Sequence, residues 1–330
     1  MVIRGSGANQ VVLFTHNDLD GVGCAILVKK VYGDAADIHM MMANESSEYI
    51  TGWLNNTFQP NLHTFVFIAD LSVDEETAKL LEEKLQGRCV LLDHHETAEG
   101  LSNHNWCNVK DTGVDCGTTL LLDYLIQSGN SFLSAYKDFA REVNSFDNQG
   151  NVEFTKTAYD LNLLLTILGK RYFISRFLED PSPIFGNDEN TLLALEYDRI
   201  KRFIYVKLLR SFVMDIESPQ TGQNIRIAFA YANTYINDVA TALLEKHMDA
   251  QAACVINLPN SLSLRLRQDA DAEKYSVAKL AEALGGGGHP HASGIPFDYE
   301  ENLVLAETFL SGKGLKTKRI EIPEGGLQWR

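Results

Sequence analysis

At 330 residues and 45% hydrophobic content, the chain is long enough for two folded domains and too apolar for a disordered one. Its formal net charge of −15 repels polyanions at long range, which excludes a long nonspecific nucleic-acid groove and confines such a partner to a local cluster or to bound cations. Five cysteines with no Cys-x-x-Cys pair, no apolar run of about 18 residues and no signal-peptide segment at the start predict a cytoplasmic protein with reduced thiols and no membrane partner.

In chain order, the apolar run 11–14 reads as a strand that ends in Thr15-His16-Asn17-Asp18-Leu19-Asp20, followed by a helix over 21–32 closed by Gly33. Residues 37–42 are the next predicted strand and 47–55 the next helix. The run 65–69 is a strand leading into Asp70, 74–85 an acidic helix with Ser72 as candidate cap, and 89–92 a strand leading into Asp93-His94-His95. Short, almost wholly apolar strands alternating with helices predict a doubly wound, mainly parallel α/β sheet buried on both faces. Right-handed crossovers then gather the acidic strand ends on one edge, where such sheets bind ligands. A loop over 107–117, helices over 118–126 and 132–143, and Asp147 in a turn-rich segment belong to this first domain, assigned to 1–186. Long helices over 157–178 and 190–214 follow, the second forming a helical connector assigned to 187–219. Residues 220–330 read as a smaller α/β domain, with strands 225–231, 252–257 and 261–267 and helices 236–248 and 277–284. The last helix runs into Gly285-Gly286-Gly287-Gly288-His289-Pro290-His291, where the absence of side chains lets backbone N–H groups approach an oxyanion closely.

Carboxylates mixed with imidazoles suit hard divalent ions, Mn²⁺, Mg²⁺ or Fe²⁺, and the lack of cysteine pairs argues against structural zinc. A pair of such ions needs a bridging carboxylate plus terminal ligands on each side. Asp70, alone at its strand end, is the expected bridge; His16 and Asp18 complete one ion, and Asp20, His94 and Asp147 the other. His95 is expected to face the substrate phosphate or protonate the leaving group, and Asp93 to orient a neighbouring histidine.

The ordered set His16-x-Asp18-x-Asp20-Gly21, Asp70, Asp93-His94-His95, Asp147 and the terminal Gly-Gly-Gly-Gly-His289 resembles the DHH phosphoesterase superfamily. The glycine-rich end resembles the DHH-associated substrate-binding domain of RecJ-like exonucleases and nanoRNases. His16 stands two residues ahead of Asp18, where many members of the family place four. The resemblance implies the ligand set above, a metal-dependent phosphodiesterase that cuts short oligoribonucleotides to mononucleotides, and substrate contacts from Arg265, Arg267, Gly286, Gly287, Gly288, His289 and His291. It leaves open short DNA, 3′-phosphoadenosine 5′-phosphate (pAp), cyclic dinucleotides and polyphosphate as substrates, a silent nucleotide-binding role, and a homodimer.

Overall fold

In the computed structural model, which describes residues 10–59, 63–110, 114–148, 152–217, 222–258, 260–297, 304, 308, 311 and 312, the chain divides into two units, Met1–Glu196 and Tyr197–Arg330. The first is built on β1 (Gln10–His16), β2 (Ala36–Met41), β3 (Thr64–Ala69), β4 (Cys89–Asp93) and β5 (Cys107–Val109), all parallel in the order β2-β1-β3-β4-β5. The last strand lies in the expected loop over 107–117, too short for a periodicity signal. Parallel pairing requires crossovers, supplied here by α1 (Leu19–Tyr32), α2 (Ser46–Asn56) and α3 (Glu75–Leu85).

Helices cover both faces of this sheet. Val12 and Phe14 of β1, Val66 and Ile68 of β3 and Leu91 of β4 pack with Ile50, Trp53 and Leu54 of α2 and Leu81 and Leu85 of α3. On the opposite face Phe67 meets Tyr32 of α1 and Tyr124 of α4 (Gly117–Gln127), at ring separations of 6.0 Å each. Each fully buried Leu, Ile or Phe contributes about 1.5–3 kcal/mol, so the two-sided apolar strands hold the sheet between its helices. The direction of winding reverses beside β1, which places the ends of β1 and β3 at the crevice where such sheets bind ligands.

The unit continues with α5 (Lys137–Asp147) and α6 (Lys156–Glu179), and α7 (Asn187–Leu208) runs across the boundary at Glu196. Two local expectations change. The acidic helix is capped not by Ser72 but by Asp74, whose side chain accepts the Thr77 N–H at 2.7 Å. Asp147 is not in a turn past a helix but is the last residue of α5, which starts and ends later than its apolar pattern indicated.

In the second unit a six-stranded sheet has the order β10-β11-β9-β8-β7-β6, from β6 (Phe212–Glu217), β7 (Asn224–Tyr231), β8 (Ala252–Asn257), β9 (Ser261–Leu266), β10 (Gly287–His289) and β11 (Ala292–Pro296). Strands β7 and β8 are parallel and flank α8 (Ile236–Lys246) in sequence; the other neighbours are antiparallel. The predicted helix over 190–214 therefore stops early: Phe212 stacks on Phe229 at 5.3 Å and its segment pairs along β7. Among the described residues no helix is long and apolar enough to cross a membrane.

Candidate metal centre

The first sheet brings its acids together at one edge. At the end of β1, His16 Nδ1 lies 2.7 Å from Asp18 Oδ2, while Asp18 Oδ1 accepts the Gly21 N–H at 3.1 Å and so caps α1. A side chain at Gly21 would sit 2.0 Å from the His16 carbonyl oxygen, so glycine is what lets the helix start this close to the strand end. Asp20, in the first turn of α1, is held from a distant part of the chain: its two oxygens accept the N–H groups of Gly117 at 2.6 Å and Thr118 at 2.7 Å. These are bare donors at the N-terminus of α4, where helical backbone favours a carboxylate.

Asp70 follows β3 directly and adopts φ 58°, a left-handed conformation rarely taken by a residue other than glycine, asparagine or aspartate. Its N–H donates to the Leu92 carbonyl at 3.0 Å, which ties the strained turn to the end of β4. From β4, His94 reaches Asp147 Oδ2 at 3.3 Å, Asp70 Oδ1 at 3.5 Å and Asp20 Oδ2 at 3.9 Å through its Nε2. Next to it Asp93 is fully buried, and its Oδ1 accepts the His94 N–H at 2.8 Å and lies 2.8 Å from His95 Nδ1.

Three overlapping groups have candidate ligand atoms within 4.8 Å of one another: Asp70, Asp93, His94 and His95, and two that share no residue, His16, Asp18 and Asp70, and Asp20, His94 and Asp147. The six residues proposed from sequence as ligands converge, His16 among them despite its short spacing. The set behaves as an uncompensated anionic cluster. Burial and the charges of Asp20, Asp18, Asp147 and Asp93 push the Asp70 carboxyl well above the usual range. Burial, then Asp20 and Asp18, lift Asp147 to about 7. Burial also holds His94 below its ordinary value. Asp70 Oδ2 and His94 Nε2 are buried without a hydrogen-bond partner. Orphaned donors facing crowded carboxylates fit hard divalent cations, which would neutralise both the repulsion and the unmet lone pairs.

Several contributors carried no signal of their own. Gly117 closes the predicted loop and Thr118 opens the predicted helix, but nothing in the sequence couples them to Asp20; a Cβ at Gly117 would lie 2.5 Å from Asp70 Cβ and 2.9 Å from Asp20 Oδ2. Lys170 follows a break in α6 at Gly169 (φ 70°), is half-buried, and is held below its ordinary value by burial, with the Asp18 charge opposing.

In the second unit the expected arginine pair divides. Arg265 on β9 donates from Nη2 to Asn237 Oδ1 at 2.7 Å, and burial lowers its pKa. Arg267 instead donates to the carbonyls of Ala250 at 2.9 Å, Leu244 at 2.7 Å and His247 at 2.9 Å, so its guanidinium is already engaged in closing the end of α8. The glycine run is not a bare loop throughout, because Gly287 to His289 pair with β11. That pairing depends on Gly286, where a Cβ would meet the Gly294 carbonyl oxygen at 2.1 Å. Among the described residues β10 is the outermost strand, with one edge of backbone donors unpaired by the sheet. His291 is exposed and accepts the Leu266 N–H at 2.9 Å through its carbonyl. The side chain of His289 lies outside the described residues.

A doubly wound sheet whose strand ends converge in carboxylate–imidazole sets fits a metal-dependent phosphoesterase. Residues 10–146 match the DHH family, N-terminal domain. Over 316 residues the chain is 28% identical to oligoribonuclease NrnB of Bacillus subtilis, covering 90% of this chain and 75% of that protein. The fold is similar to that of exonuclease RecJ bound to manganese, with a TM-score of 0.52 at 12% identity over 93% of this chain and 91% of that one. It is also similar to the pGpG-specific phosphodiesterase PggH of Vibrio cholerae, with a TM-score of 0.50 at 11% identity over 92% of this chain and 99% of that one.

Proposed function

We propose that the protein is a metal-dependent phosphodiesterase that hydrolyses short oligoribonucleotides to mononucleotides. The observation that carries this reading is the pair of donor sets meeting at Asp70 and His94, whose partnerless buried atoms suit two divalent cations. His16 and Asp18 would hold one ion and Asp20, His94 and Asp147 the other, with Asp70 between them. When bound, such ions supply charge neutralisation at the phosphoryl oxygens and an acidified water. Mn²⁺ is the favoured metal, given oxygen-rich sites with two imidazoles; Mg²⁺ and Fe²⁺ fit the same donors.

The protein's own groups do the rest. Asp93 fixes the orientation of His95 and, ahead of the opposing effect of burial, holds its imidazole above the ordinary value, so that its far nitrogen can carry a proton to the leaving oxygen. Arg265 and the backbone of Gly286, Gly287 and Gly288 are proposed to contact substrate phosphates, with His289 and His291 beside them. Arg267 is assigned to holding that unit's structure. The similarity to NrnB supports short RNA over pAp, cyclic dinucleotides and polyphosphate, and the similarity to a pGpG-specific enzyme agrees with a substrate as short as two nucleotides. Five free cysteines agree with a reducing cytoplasm.

The test is purified protein with Mn²⁺ against a length series of labelled RNA and DNA oligomers, with pAp and cyclic dinucleotides alongside. Fastest turnover on two- to five-residue RNA is expected. Exclusive turnover of pAp would replace this reading by a phosphatase of the same family.

A further inference from the structure

The helix that delivers Asp147 also carries an aromatic group with no place in the metal chemistry. Phe146, its immediate neighbour on α5, has its ring 6.1 Å from that of Phe154, and Phe154 lies edge-on to Tyr159 of α6 at 6.4 Å. Phe154 is 43% exposed. An exposed ring in a connecting segment usually has a loosely held backbone, but this one is fixed on both sides. Ser145 Oγ donates to the Glu153 carbonyl at 2.6 Å and accepts the Thr155 N–H at 3.0 Å. Thr155 in addition hydrogen-bonds the Glu142 carboxylate and caps α6 by accepting the Ala158 N–H at 3.0 Å. The residues either side of Phe154 are therefore pinned to one buried serine, two positions before a proposed metal ligand.

Fixing an aromatic face without burying it contributes little to the core. It does provide what single-stranded nucleic acid stacks on, a rigid π surface of about the size of a base, in the segment that follows the proposed ligand Asp147. Resting on the reading of the site as a nucleotidyl phosphodiesterase, we propose that Phe154, backed by Phe146 and Tyr159, is the platform on which one nucleobase of the substrate stacks. Stacking accepts every base and binds purines more strongly for their larger face, so the platform selects for the presence of a base rather than its identity.

The experiment pairs protein and substrate changes. Wild type, Phe154→Leu and Phe154→Trp are assayed with Mn²⁺ on the dinucleotide ApA and on the two dinucleotides in which one adenosine is replaced by an abasic ribose. In the wild type, removing the base that stacks is expected to raise KM about 5- to 100-fold, the worth of one base–aromatic stack. In Phe154→Leu that penalty should collapse, because base and ring are the two halves of one interaction, and Phe154→Trp should restore it. A fluorescent readout is independent of turnover: 2-aminopurine riboside 5′-monophosphate, quenched when stacked, should be quenched by wild type and Phe154→Trp and much less by Phe154→Leu. Equal KM increases for Phe154→Leu on base-containing and abasic substrates, or undiminished quenching, would overturn the platform. If the wild type cleaves none of the dinucleotides, the oligoribonuclease reading fails, while the quenching titration still decides whether Phe154 stacks a base.

Discussion

Asp93 Oδ1 lies 2.8 Å from His95 Nδ1 and also accepts the backbone N–H of His94, so one buried carboxylate oxygen holds the ring of one histidine and the main chain of the other. The rings then sit 4.2 Å apart at their centroids, one turned toward the ligand cluster and the other left half-open to substrate. The adjacent rings thereby differ in chemistry, that of His95 set by Asp93 and that of His94 by Asp20, Asp70 and Asp147.

His95→Gln should keep metal content while lowering turnover by about 10²–10⁴-fold, the usual scale of a lost acid–base group. Protonated His95 is lost as pH rises through its pKa, which stands above the ordinary 6.5. Replacing Asp93 by Asn withdraws the main cause of that shift, so the falling alkaline limb of kcat/KM should move to lower pH. An unmoved limb would separate His95 from the proton transfer.

Asp70→Asn keeps a residue tolerant of φ 58° but removes the carboxylate at the centre of the cluster. Metal stoichiometry and activity should both be lost, whereas Asp147→Asn should weaken only one ion. Without metal, Asp70→Asn should melt higher by about 2–4 °C, the equivalent of about 1 kcal/mol, because it removes a buried and repelled acid. Isothermal titration with Mn²⁺ and metal-free melting check the two halves.

Gly117→Ala tests the packing between α4 and the ligands. Its Cβ would press on both Asp70 and Asp20, so metal affinity should fall at least about tenfold, with a stability cost of about 1–3 kcal/mol from overpacking. Mn²⁺ titration alongside urea unfolding separates these effects; unchanged affinity would show that α4 can shift without moving the carboxylates.

The folded-state pKa values of Asp70 and Asp147 lie above those of an unfolded chain. The unfolded state therefore releases these protons first, and the metal-free protein loses stability as pH rises from about 4 to the value of about 7 that marks Asp147. Divalent ions cancel the repulsion and compete with the protons, so the gain in Tm from Mn²⁺ should widen across that interval. Melting curves with and without metal would reveal it, and a constant gap would contradict the crowded-carboxylate account.

Arg265 and Arg267 should respond differently to replacement by alanine. Arg267→Ala removes a donor from three carbonyls, of which that of His247 keeps the Ala250 N–H, and should lower stability by about 2–3 kcal/mol. Arg265→Ala should leave stability near wild type but raise KM for di- to pentanucleotides about tenfold, the loss of one phosphate contact. Urea unfolding and initial-rate kinetics on both variants distinguish them.

The sequence by itself determined the parallel sheet and the order of its acidic ends. Runs such as 65–69 and 89–92 are apolar at every position, a pattern that only a strand buried on both faces requires, and each stops at an acid or a histidine. His16, Asp18, Asp20, Asp70 and His94 were legible for that reason. Only the tertiary structure decided how they are held: Asp20 rests on N–H groups 97 and 98 residues away, Asp147 arrives as the final residue of α5, and Arg267 is claimed by carbonyls of α8 and the loop after it. Likewise 212–217 became a strand because β7 offered an open edge, against a local pattern continuous with the helix before it. Periodicity reports which face of an element is apolar, but the partner of a backbone N–H or carbonyl depends on where a distant segment ends, and backbone groups are the same at every residue.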